Sequence, residues 1–111
     1  MNISCLIDVT EAGQRFEGYA LIKSAQDATT AKGDPYFNLT IGKKHKSIAC
    51  KLWGNNFGPY GLAELKKLLQ NGSIHYISGQ VGDYRGELQL TIDSFRLAEE
   101  GEVDLAEYLE A

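Results

Sequence analysis

Enzyme chemistry needs reactive side chains held in pairs or triads, and this sequence of 111 residues offers few. Its two histidines, His45 and His75, lie far apart in the chain, and neither has a metal-ligand partner at a characteristic spacing. Cys5 and Cys50 make no Cys-x-x-Cys motif and are too few for a disulfide framework. There is no Gly-rich phosphate loop and no His-Asp pair. Asp83 and Glu87 flank Arg85 and are better placed to orient it than to exchange protons. We therefore expect no enzyme activity, no catalytic residue, no metal and no cofactor. What remains is a set of flat rings interleaved with cations: Tyr36, Lys51 and Trp53; Tyr84 and Arg85; Lys32; and the cluster Lys43, Lys44 and Lys46. Rings stack on planar partners and cations pair with anions, so the chemistry on offer is noncovalent.

The charge is divided unevenly. The formal net charge is -4, but Glu99, Glu100, Glu102, Asp104, Glu107 and Glu110 carry six of the fifteen acids, with no base among them. The body, residues 1–98, then holds nine acids against eleven bases, about +2, and the tail -6. A basic body with an acidic appendage hints at a polyanionic partner; a solvated tail that keeps the chain soluble is the alternative. No apolar run approaches the ~18 residues of a membrane-spanning helix. The first residues carry no base before Arg15, against a secretory signal. With two cysteines and no leader, the expected home is the reducing cytoplasm.

The elements that must position these residues follow from periodicity. Phe16–Ala25 reads as a strand, and the polar stretch Gln26–Asp34 ends in a turn signal, Lys32-Gly33-Asp34-Pro35. Pro35–Ile41 alternates, with Phe37, Leu39 and Ile41 on one face and Tyr36, Asn38 and Thr40 on the other. His45–Trp53 alternates again: Ile48, Cys50 and Leu52 against Ala49, Lys51 and Trp53. The period then changes. After Pro59, the leucines Leu62, Leu65, Leu68 and Leu69 recur at helical spacing, and Asn71-Gly72 stops the helix. Ser73–Val81 is a fourth strand, in which Gly79 marks a bulge or a close backbone approach. A turn at Gly82–Gly86 leads to a fifth strand carrying Leu88, Leu90 and Ile92.

Three strands, a helix and two strands, each strand with one apolar face, cannot be covered as an open sheet. Closure into a barrel buries that face and removes the edges. The fold class expected is all-β: a five-stranded Greek-key barrel, one α-helix between strands 3 and 4, and at residues 99–111 either an acidic tail or a short C-terminal helix striped by Leu105, Tyr108 and Leu109.

Tyr19–Ser24, Lys32–Tyr36, Lys51–Trp53, Gly79–Val81 and Tyr84–Leu90 resemble the corresponding stretches of OB-fold nucleic-acid-binding domains. The chain looks like small bacterial or phage single-stranded DNA-binding proteins, and like the OB domain that precedes the HD hydrolase domain of certain bacterial exoribonucleases. The hydrolase activity is not implied, because the chain has no His-Asp pair. The resemblance implies binding of single strands across strands 2 and 3 and the loops joining strands 1–2 and 4–5.

On that surface Tyr36 and Trp53 take the outward parity, Lys51 lies beside Trp53, Tyr84 and Arg85 sit at the 4–5 turn, Lys32 at the 1–2 turn, and Lys43, Lys44 and Lys46 at the 2–3 turn. Each has a competing role. Trp53 either stacks on a base or caps the core beside the helix. Tyr36 stacks or covers an edge, Tyr84 stacks or packs its turn, and Arg85 meets phosphate or pairs with Asp83 or Glu87. The lysine cluster is a phosphate site or a solvated turn. Phe57 and Tyr60 read as core.

The expected partner is single-stranded DNA, with RNA as the second choice and an OB module that binds protein as the rival. The chain is expected to act as a homo-oligomer in replication, recombination or transfer, on a chromosome, plasmid or phage. The acidic tail either docks a replication or repair protein, packs on the barrel, or competes with nucleic acid for the lysine-rich surface.

Overall fold

The computed structural model describes residues 2–44, 46–54, 57, 61–70, 72–99, 101–104 and 108. His45, Pro59, Tyr60, Asn71, Leu105 and Leu109, named above, lie outside the described residues, as does the side chain of Leu62. The strands are β1 (Asn2–Ile3), β2 (Arg15–Thr29), β3 (Pro35–Lys43), β4 (Lys46–Trp53), β5 (Ile74–Tyr84) and β6 (Glu87–Leu97), and helix α1 (Leu62–Leu68) stands between β4 and β5. The five predicted strands are β2 to β6, and β1 is an addition.

β2 closes the barrel. Its first half, Arg15–Leu21, pairs antiparallel with β5, and its second half, Leu21–Thr29, pairs antiparallel with β3. A bulge between Ile22 and Ser24 lets one strand serve both neighbours by bending it there. β3 pairs with β4, β4 runs parallel to β6, and β6 returns to β5, so no barrel strand keeps a free edge along its whole length. The interior holds Phe16, Ile22, Phe37, Ile41, Leu52, Ile77, Leu90 and Ile92, all fully or almost fully buried. Leu65 and Leu69 add the apolar side of the helical segment to this core.

Gly79 shows both features its place in a strand suggests. The register slips between Ser78 and Gly79, and a Cβ at Gly79 would collide with the carbonyl oxygen of Thr91. Only glycine lets the two backbones come so close.

The first fourteen residues are less idle than the sequence suggests. β1 adds two residues parallel to Arg15 and Phe16, and a 3-10 turn at Leu6–Asp8 drops Leu6 and Val9 into the core with no exposure. The acidic segment also docks in part. Tyr108 is buried against Leu21 and Ile74, and its carbonyl accepts the amide of Lys44 at 2.9 Å. Residues 101–104 form a turn and bend and not a helix.

Candidate functional site

In-register pairing of β3 with β4 puts alternate side chains into rows on the outer face of the barrel. The rows are Tyr36–Trp53, Asn38–Lys51, Thr40–Ala49 and Gly42–Ser47. The intervening Phe37, Leu39, Ile41, Ile48, Cys50 and Leu52 turn inward and are buried. Alternation alone therefore brings Tyr36, Lys51 and Trp53 to one surface.

There they form a unit. The ring centroids of Tyr36 and Trp53 lie 5.0 Å apart, with 35° between the planes. Lys51 Nζ sits 5.1 Å from the Tyr36 centroid and 5.2 Å from that of Trp53. A cation over two ring faces is attracted by both quadrupoles, which holds the ammonium where the rings are. Trp53 is half-buried on the outside and does not join the core beside the helix. Phe57 takes the core position, 5.8 Å from Phe37. Next to Trp53 opens a pocket of about 550 Å³ lined by Thr30, Asp34, Pro35, Trp53, Gly54 and Phe57.

From the aromatic row the floor runs over Asn38, Thr40, Ala49 and Ser47, which are small or polar. Six residues of strand separate its first and last rows, about 20 Å at ~3.3 Å per residue. At the far end stands the β5–β6 hairpin. Ala49 pairs with Gln89, so β6 starts two residues further along, near Ser47. The hairpin closes at Tyr84–Glu87 through Arg85 (φ 54°) and Gly86 (φ 84°), the two-residue turn with both central φ positive. Tyr84 is 55% exposed and Arg85 Cζ lies 5.3 Å from its ring. The carboxylate of Asp83 accepts the Gly86 amide at 2.9 Å, and among the described residues Arg85 makes no ion pair. The predicted pairing of Arg85 with Asp83 or Glu87 is therefore not what holds this turn.

The other cations divide. Lys32 is exposed in the loop between β2 and β3. Lys44 is exposed at the β3–β4 turn, with φ 55°. Lys43 and Lys46 close that turn as a pair, but by strand alternation both take the parity opposite to Tyr36 and Trp53. Lys43 reaches the other way, with Nζ 5.1 Å from the Tyr108 ring and 3.5 Å from Cys5 Sγ. The lysine cluster thus does not gather on the aromatic face.

One cation that sequence reasoning missed does reach it. Lys23 lies at the β2 bulge, and its Nζ donates to Ser47 Oγ at 2.8 Å and to the Lys44 carbonyl at 3.2 Å. Its side chain crosses β3 above Gly42, where a Cβ would collide with Lys23 Cδ and Cε. The sequence held no parity signal for it, because the bulge interrupts the alternation by which its side would be counted.

The remaining reactive groups are structural. His75 is fully buried in β5, and its Nε2 lies 2.9 Å from the Leu68 carbonyl and 3.1 Å from Ser73 Oγ, tying the strand to the end of the helix. Burial lowers its pKa and keeps the ring neutral. Burial pushes the Cys50 thiol far up, so it stays protonated and inert. Among the described residues no group of three or more His, Cys, Asp and Glu is arranged to hold a metal ion. No described helix is long and apolar enough to cross a membrane.

No protein-family model matches the chain. A domain of replication protein A from Methanococcus maripaludis superposes with a TM-score of 0.64 at 19% identity, over 89% of this chain and 97% of that one. The barrel is an OB-fold. The mitochondrial single-stranded DNA binding protein Rim1 of S. cerevisiae has the same OB-fold, with a TM-score of 0.60 at 15% identity over 80% of this chain and 99% of that one. In sequence, the OB-fold here is 37% identical over 86 residues to the 3'-5' exoribonuclease YhaM of Halalkalibacterium halodurans, covering 78% of this chain. The chain spans about a quarter of the length of that relative (25%). The match is to the kind of domain that the Tyr19–Ser24, Lys51–Trp53 and Tyr84–Leu90 stretches resemble.

Proposed function

We propose that this OB-fold binds single-stranded nucleic acid, without sequence preference, across the outer face of β3 and β4. The observation that carries the reading is the Tyr36–Trp53–Lys51 unit: two rings in one row, with an ammonium over both. Bases stack on the rings, Lys51 and Lys23 meet the backbone along the floor, and Tyr84 and Arg85 receive the strand at the far end. Each stacked base contributes ~1–3 kcal/mol, so two or three rings dominate affinity over the phosphate contacts. The role is binding and not catalysis.

Single-stranded DNA is the ligand we favour, with the chain coating or protecting strands during replication, recombination or transfer and oligomerising along them. The likeness to the replication protein A and Rim1 barrels supports it. RNA is the second reading, favoured by the 37% identity to a 3'-5' exoribonuclease. A protein-binding adaptor has less support, because the face sets a cation over paired rings. The acidic segment is a third element of the proposal, as a docking site for a replication or repair protein.

Titration with oligo-dT while following Trp53 fluorescence tests the reading. Quenching that saturates at low salt is expected. An unquenched Trp53 with no mobility shift would sink it. Matched dT and rU oligomers then rank DNA against RNA, and light scattering with and without the strand reports oligomerisation.

A further inference from the structure

The aromatic row of the β3–β4 face has a counterpart on the outside of β2, β5 and β6. Tyr19 pairs with Tyr76 and Tyr76 with Arg96, so the three form one row across three strands. Their neighbours Ala20, His75 and Ile77 point inward and are buried, which leaves the row outward. The tyrosine rings meet edge to face, with centroids 5.1 Å apart and 76° between planes. Arg96 Cζ lies 5.2 Å from the Tyr76 ring and 6.0 Å from that of Tyr19. Two rings and one cation are repeated here with different residues.

The difference is that this cation is already occupied. Glu102 takes both arms of the Arg96 fork, Nη1 to Oε1 at 3.0 Å and Nη2 to Oε2. The Tyr19 hydroxyl donates to Oε2 and the Glu99 amide donates to Oε1 at 2.9 Å. A planar fork, a hydroxyl and a backbone amide around two oxygens is also how a phosphodiester is held. The Arg96 side chain keeps 52% of its surface exposed and that of Glu102 22%, so the pair lies at the surface, within reach of a competing anion. Four donors converge on this one carboxylate, more than a single ion pair supplies.

We propose that the Tyr19–Tyr76–Arg96 row is a second site for single-stranded nucleic acid, in which Glu102 occupies the place of a backbone phosphate. The ligand class rests on the reading of the β3–β4 face. A base lies against Tyr76, its phosphate takes the Arg96 fork and the Tyr19 hydroxyl, and the turn that carries Glu102 lifts away. The site does not extend along the whole strip, because Arg15 at its other end is committed to Glu17 and Asp93. The acidic segment is therefore an internal competitor whose displacement adds a second binding surface to the barrel.

The test counts dT tetramers bound per barrel at low salt, by calorimetry and native mass spectrometry, on the full chain. Wild type is expected to take one. Glu102→Ala and the shape-preserving Glu102→Gln are expected to take two, and Arg96→Gln added to either returns the count to one. Melting by circular dichroism verifies that each variant is folded. One tetramer on wild type and still one on both Glu102 variants would overturn the second site and leave the β3–β4 reading standing. No tetramer on any of them would overturn both. A tetramer only on the Glu102 variants would support the second site and reject the first.

Discussion

Tyr36 and Trp53 face each other across the β3–β4 ladder with centroids 5.0 Å apart, and Lys51 is held over both rings. The contact is a product of register. Sliding β4 by one residue would send Trp53 and Lys51 inward and Leu52 and Cys50 out. The buried set Phe37, Leu39, Ile41, Ile48, Cys50 and Leu52 fixes that register, so core packing fixes the outer row.

If the two rings stack on bases, each is worth roughly one stacked base. Trp53→Ala and Tyr36→Ala should each weaken oligo-dT binding by ~1–3 kcal/mol, about 5- to 150-fold. Leu and Met at these positions should do no better than Ala, because they offer no flat face. Fluorescence anisotropy on labelled dT measures both effects without relying on the indole.

Salt reports the cations separately. Three or four phosphate contacts on a single strand give a log-log salt slope of about -2 to -3, since each contributes about -0.7. Lys51→Ala should make the slope shallower by about 0.7, and Lys43→Ala should leave it unchanged, since Lys43 points toward Tyr108. Equal effects of the two variants would contradict the placement of the face.

Protonation of His75 opposes folding. Burial puts its pKa in the fold below the ordinary 6.5. As pH falls through ~6.5 the unfolded chain takes a proton that the folded chain refuses, so stability is full above that value and declines below it. Glu102 is held down at about 2 by Arg96 and Tyr19, so its contribution is lost only below ~4.5, as pH falls from its ordinary range toward 2. Urea midpoints at pH 7.5 and 5.5 should therefore fall for wild type and change less for His75→Leu. An equal decline in both would show that His75 is not the group concerned.

Gly79→Ala places a methyl against the Thr91 carbonyl in the β5–β6 ladder. Overpacking of this kind costs ~1–3 kcal/mol. Thermal melting should show a midpoint lower by about 4–24 °C, at ~4–8 °C per kcal/mol for a domain near this size. Gly72→Ala meets no atom within 4 Å but is strained by its φ of 93°, and should lose less.

Much of the barrel was legible because its strands alternate. Phe37/Leu39/Ile41 and Ile48/Cys50/Leu52 each spell one buried face, and Leu65 and Leu69 spell the helical plug. The unread parts are those without alternation. β2 continues beyond Ala25 through Gln26–Thr29 because it pairs with Pro35–Asn38, but none of these four β2 residues is buried, so polarity carries no signal there. Leu6 and Val9 enter the core from a single 3-10 turn, too short to show a period. Of the candidate site, Tyr36, Lys51 and Trp53 follow from parity alone. Lys43 and Lys46 sit at the turn the sequence marks, but closeness to a turn says nothing about which side a chain end faces. Lys23 was missed because a bulge breaks the count by which sides are assigned.

Among the described residues, the tight hairpin at Arg85-Gly86 and the short turn at Lys44 leave the end of the face away from Trp53 without long flaps. A polymer lying there would be gripped from one side and never encircled. If the proposed face binds a strand, the barrel would need no free end to settle on the middle of a long molecule, and at this end a competitor would lift it off sideways.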